Sequence, residues 1–112
     1  MEFIKIENLP FQIAIEDLEK EMNYDEIQEY LKTVNSNIRL PNNDELKMIH
    51  ENKDSIPGLV DLNAYWSSEN STEPDPVYGK NGTAYCMTMV SGIFLNGGRG
   101  KRDKCLVRLI KG

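Results

Sequence analysis

The chain has 112 residues, of which 39% are hydrophobic and 28% charged, and a net charge of −5. These totals suit one domain over residues 1–112 with one ordinary core. The negative balance argues against a nucleic-acid partner, whose main affinity term is phosphate neutralisation, and no apolar run approaches the roughly 18–20 residues of a membrane span.

The start, MEFIKIENLPFQ, lacks the charged-then-apolar layout of a secretory signal. A chain that begins natively at Met1 is expected in the cytoplasm, and one that has lost a leader would be secreted. FIKI (3–6) and FQIAI (11–15) alternate apolar residues at period two and predict a short strand or hairpin. MNYDEIQEYLKTV (22–34) predicts a helix. Asn23 caps it, Glu26 completes a capping box, and Ile27, Tyr30, Leu31 and Val34 make one apolar stripe.

In IRLPNNDEL (38–46), Pro41 biases Leu40 toward extended backbone, and Asn42 with Glu45 repeats the capping box. A second helix follows, with Leu46, Ile49 and His50 on its inner face, and it must end before Pro57-Gly58. Turn residues dominate 67–83, which predicts a long irregular stretch. TAYCMTMV (83–90) and IFLN (93–96) predict a tight hairpin through Ser91-Gly92. NGGRGKRD (96–103) predicts a basic glycine-rich loop, and KCLVRLI (104–110) a last strand. The order is that of an α+β domain with a small antiparallel sheet.

Few residues invite chemistry. His50 is the single histidine, and a histidine on the inner face of a helix is expected to be packed rather than catalytic. Cys86 and Cys105 are too few for a disulfide scaffold and fit no zinc spacing. They are read as two reduced, partly buried thiols, with a single bridge between neighbouring strands as the alternative. Alternation puts Cys86 on the face opposite Tyr85, Met87 and Met89, which read as core. NGGRGKRD resembles a P-loop only weakly, since it runs into a strand without the Gly-Lys-Ser/Thr ending that opens a helix. Its Arg99, Lys101 and Arg102 still suit an anion. The carboxylates of EPDP (73–76) with Asn70 lack regular calcium-ligand spacing, and no metal or cofactor is expected.

Three segments together resemble the Lcl C-terminal-domain family. RLPNNDEL (39–46) is similar to its arginine-leucine-proline-threonine helix entry, AYWSSEN (64–70) to its tyrosine-tryptophan-serine-serine segment, and CLVRLIKG (105–112) to its closing valine-arginine strand. The resemblance spans roughly residues 11–112. It implies a C-type lectin-like fold related to the formylglycine-generating-enzyme group: two helices packed on a small twisted antiparallel sheet, adjacent N- and C-terminal strands, and long loops that form a ligand surface. It further implies that Arg39 ties the helix start to the loop region and that Trp66 is a buried framework residue. Ile38 stands where the family has tryptophan, and Asn42 where it has threonine. Cys86 and Cys105 match no catalytic motif of the enzyme branch. EPD (73–75) faintly resembles the sugar and calcium motif of true C-type lectins, but Asn96 has no neighbouring tryptophan or aspartate.

The expected function is non-enzymatic recognition of a protein or small ligand, anionic by the charge of the loop, with neither nucleic acid nor membrane as partner. The expected surface joins loops 67–82 and 96–103, with Asn70, Glu73, Asp75, Tyr78, Asn96, Arg99, Lys101 and Arg102 as ligand-binding residues. The competing classes are a formylglycine-generating-type enzyme and an accessory domain of a phage or surface-adhesion assembly.

Overall fold

A computed structural model describes residues 1–71, 82–95 and 98–112. The elements run β1 (Phe3–Lys5), β2 (Gln12–Ala14), α1 (Tyr24–Leu31), β3 (Ile38–Arg39), α2 (Asn43–Glu51), a 3-10 turn (Lys53–Ser55), β4 (Ala64–Asn70), β5 (Thr83–Thr88), β6 (Ile93–Phe94), β7 (Arg99–Gly100) and β8 (Ile110–Lys111).

Both helices start where the sequence predicts. Asn23 Oδ1 accepts from the Glu26 amide at 2.9 Å while the Glu26 carboxylate accepts from the Asn23 amide at 3.0 Å. Asn42 and Glu45 make the same reciprocal pair, both bonds 2.9 Å. Each box satisfies amide donors that a helix start otherwise leaves open. The first helix is shorter than predicted, ending at Leu31 rather than Val34. Thr33 explains the stop: its hydroxyl and its amide both bond the Tyr30 carbonyl, which closes the last turn.

Among the described residues the strands form two four-stranded sheets, where the sequence predicts one small sheet. The first has the order β1-β2-β8-β3, all antiparallel, so the late strand β8 lies between two early ones. The second has the order β4-β5-β6, with β7 also on β5. The strand expected over 104–110 is mostly not a ladder. Only Ile110–Lys111 is strand, while Cys105 and Leu106 make single bridges to Met22 and Tyr65. The predicted irregular stretch over 67–83 begins late, because β4 runs through Asn70.

Residues 64–67 of β4 and most of β5 are buried on both faces, which explains the missed strand. Tyr65, Met87 and Met89 point into one cluster with Leu46 and Ile49 of α2. Ala64, Trp66, Ala84 and Cys86 point into another with Tyr24 and Ile27 of α1. A strand buried on both sides has no polar alternation to betray it. Each large side chain so buried contributes on the order of 1.5–3 kcal/mol.

The hairpin from β5 to β6 turns at Ser91-Gly92 as predicted. Gly92 has φ +67°, and a Cβ there would sit 2.4 Å from the His50 ring. His50 is thus a packed histidine that lies on glycine backbone, and it holds α2 against the turn.

Candidate functional site

The site lies at the end of the second sheet where both predicted loops begin. Asn70 on β4 pairs with Ala84 on β5, and Ala84 pairs on its other edge with Arg99 on β7. Three strands therefore carry Asn70, Ala84 and Arg99 side by side, with Asn70 and Arg99 roughly 10 Å apart by strand spacing. The Ser71 amide bonds Thr83 O at 3.0 Å and the Lys101 amide bonds Gly82 O at 2.8 Å, which ties the stems of both loops together. Gly98 makes the close approach possible: its φ is +75°, and a Cβ would lie 2.5 Å from Ala84 O.

Beneath this end is an aromatic and sulfur layer. The Trp66 indole N–H donates to Met22 O at 2.8 Å, and the ring meets Tyr24 edge-on with centroids 4.9 Å apart. The Tyr24 hydroxyl donates to Ser67 O, and burial with the neighbouring thiols and Glu69 pushes its pKa well above the usual phenol range. Trp66 is fully buried.

Cys86 pairs with Trp66 across the ladder, and Cys105 bridges to Met22, so the same tryptophan spans both cysteines. Both thiols are free and buried. Arg99 Nη1 lies 3.5 Å from Cys105 Sγ. Cys105, with help from the Arg99 charge, holds Cys86 below the ordinary thiol range against its burial. Cys105 is pushed far up by Cys86 and by burial.

The basic residues of 99–104 differ in their exposure. Arg99 is half-buried over the thiols. The Lys101 ammonium sits 5.1 Å above the Tyr24 ring. Arg102 and Lys104 are exposed, and Lys104 reaches Glu26 only at 4.0 Å. The segment expected to be loop contains β7, so Arg99 is held in a ladder. Of the other predicted residues Asn70 is exposed beside this cluster, while Glu73, Asp75, Tyr78 and Asn96 lie outside the described residues.

Two segments singled out in the sequence prove to dock on each other. The Ser68 amide bonds Pro41 O at 2.8 Å, Ser67 Oγ bonds Asn43 Oδ1 at 2.6 Å, and Glu69 accepts from the Asn43 amide at 2.7 Å. Pro41 and Asn43 thus carry the tie to β4 that was expected of Arg39. Arg39 instead grips Glu45 in a two-pronged pair at 2.7 and 2.8 Å, which lowers the Glu45 pKa and raises that of Arg39.

Sequence reasoning missed the thiol–arginine contact and a charge network on the other side of the second sheet. Arg108 is 1% exposed. Its Nε bonds Asp17 at 2.7 Å and its Nη1 bonds the carbonyls of Ala14 and Pro57. Asp17 also accepts from the Tyr65 hydroxyl at 2.8 Å, and that hydroxyl accepts from the Val60 amide. The only advance signal was an arginine inside the apolar run CLVRLI.

Among the described residues no three histidine, cysteine or carboxylate side chains are grouped to hold a metal ion, and no helix is long and apolar enough to cross a membrane. No protein-family model matches the chain, and no curated protein matches it.

Proposed function

We propose that the chain is a non-enzymatic recognition module of C-type lectin-like fold, which binds an anionic protein segment or small anionic ligand through the loop end of its second sheet. The fold part of the proposal draws on the pairing of β2 with β8, early strand against late, and on the two capped helices. The observation that carries the function is the convergence of both loop stems at one sheet end, with Asn70, Arg102 and Lys104 exposed around them. Cations gathered in a chain of net charge −5 select for a partner of opposite sign. The rigid layer of Trp66 and Tyr24 beneath them keeps the stems in place, so little ordering accompanies binding.

The competing enzyme reading has one support, the lowered pKa of Cys86. A nucleophile must also reach its substrate, and Cys86 and Cys105 are 0% and 1% exposed. The recognition reading therefore takes precedence.

Titration with poly-glutamate, followed by amide chemical shifts, tests it. Shifts should gather at Asn70 and residues 99–104 and shrink with added salt, and the Arg102→Ala plus Lys104→Ala variant should bind more weakly. Shifts confined to the exposed face of α1 around Glu29, or equal binding by the variant, would place the surface elsewhere.

A further inference from the structure

We propose that the groove between the end of α1 and the first sheet docks a basic segment of a partner protein, one that carries lysine or arginine beside apolar side chains. Phe3 of β1 and Ile38 of β3 belong to the two edge strands of that sheet and are only half-buried, as is Tyr30 near the end of α1. Two cavities of about 420 and 510 Å³ open there, and Met1 and Tyr30 line both. The larger is bounded by Phe3, Val34 and Ile38, the smaller by Glu2, Glu16, Asp17 and Glu19. One groove thus has an apolar end and an acidic end, with a tyrosine at the junction.

The charges choose the occupant. Asp17 is committed to Arg108 and the Tyr65 hydroxyl. Glu2, Glu16 and Glu19 are exposed, and among the described residues their carboxylates meet no hydrogen-bond or ion-pair partner. Lys32, on the apolar wall, is held by Glu29 at 3.0 Å. The open acids therefore select a cation. The Tyr30 ring offers it a face, as Tyr24 and Phe94 do for lysines of this chain. Acidic walls turn away nucleic acid and anionic lipid, and the apolar end gives a bare polyamine nothing to bury. Backbone bonds already set the rim: the Ile15 amide bonds Glu2 O at 3.0 Å and the Leu18 amide bonds Val107 O at 2.9 Å. Docking then orders little of this chain. The proposal is independent of the recognition reading, which concerns the other end of α1, where the Tyr24 amide bonds Lys101 O.

The test titrates the whole chain with a synthetic peptide of alternating arginine and leucine and follows amide chemical shifts. Shifts should gather at residues 1–3, 15–19 and 30–38. Glu16→Gln plus Glu19→Gln, both at exposed positions, should weaken binding about fivefold. Glu51→Gln plus Asp54→Asn makes the same charge change at exposed positions outside the groove and should leave binding unaltered. Tyr30→Ala should weaken it about tenfold. Poly-lysine and spermine, which leave the apolar end empty, should bind more weakly than the arginine-leucine peptide. Shifts centred elsewhere, parent-like binding by Glu16→Gln plus Glu19→Gln, equal losses in the two double variants, or equally tight binding of spermine would each overturn the proposal.

Discussion

Two arginines in this molecule hold a carboxylate at the same distance, and they stand for opposite energetics. Arg39 meets Glu45 at 2.7 Å with 39% of its side chain exposed, while Arg108 meets Asp17 at 2.7 Å with 1% exposed. Coulomb attraction at one distance differs severalfold between water and a protein interior. The two carboxylates are about equally buried, so the contrast lies in the arginines: Arg39 is open to water, which screens its charge and solvates it when Glu45 is removed. The buried pair has no such substitute. Among the described residues Arg108 Nη2 lacks a hydrogen-bond partner, so that cation already bears an unmet desolvation cost and depends on Asp17. Distance alone therefore ranks nothing here, and burial does.

The comparison is sharpest if one partner of the buried pair is removed. Asp17→Ala should cost about 3–5 kcal/mol in chemical denaturation, since it strands the Arg108 cation and frees the Tyr65 hydroxyl at once. Arg108→Met with Asp17→Leu should recover much of that loss, and a double variant as unstable as Asp17→Ala would show that the ion pair itself, rather than the stranded charge, supplies the stability. Tyr65→Phe probes the same network more gently. It removes the donor to Asp17 and the acceptor for Val60 while keeping the ring, and about 1–2 kcal/mol of stability should go with it. Arg39→Ala should cost least, about 1 kcal/mol or less near neutral pH. The sign with pH follows from Glu45, whose folded pKa lies below its unfolded value because of Arg39. Its contribution is present above the unfolded carboxylate range and is lost as pH falls through the folded pKa. The parent and Arg39→Ala should thus converge in stability on acidification, and a gap that persists or widens in acid would break the contrast between the two pairs.

The same two arginines show how much a sequence discloses. Arg39 and Glu45 are six residues apart, and the two capping boxes around α1 and α2 are local grammar, so the helix starts were legible. Arg108 and Asp17 are 91 positions apart, and nothing in either neighbourhood names the other. The hairpin at Ser91-Gly92 was legible from its turn. The strand over Ala64–Asn70 was not, since residues 64–67 are buried on both faces and 68–70 are all exposed, so neither half alternates. CLVRLI misled for the opposite reason. It is an apolar run of strand length, yet its burial comes from isolated bridges and side-chain packing rather than from a ladder. Of the candidate site, the positive charge at 99–104 was visible, but which cations are spent on Tyr24 and on the thiols depends on chain crossings that spacing does not encode.

The central position of β8 has a consequence for how the chain is made. Ile110 pairs with Ile13 on one side and with Arg39 on the other, and Lys111 with Gln12 and Ile38. During synthesis β2 and β3 emerge well before β8 and share no partner until Ile110 and Lys111 leave the ribosome. The second sheet, whose β5–β6 hairpin is local in sequence, can form while the first still waits. Folding should thus end with one zippering event at the first sheet, and until then the edges of β2 and β3 stay open to wrong partners. A nascent chain stalled short of Ile110 would be the aggregation-prone species of this molecule, whatever the stability of the finished fold.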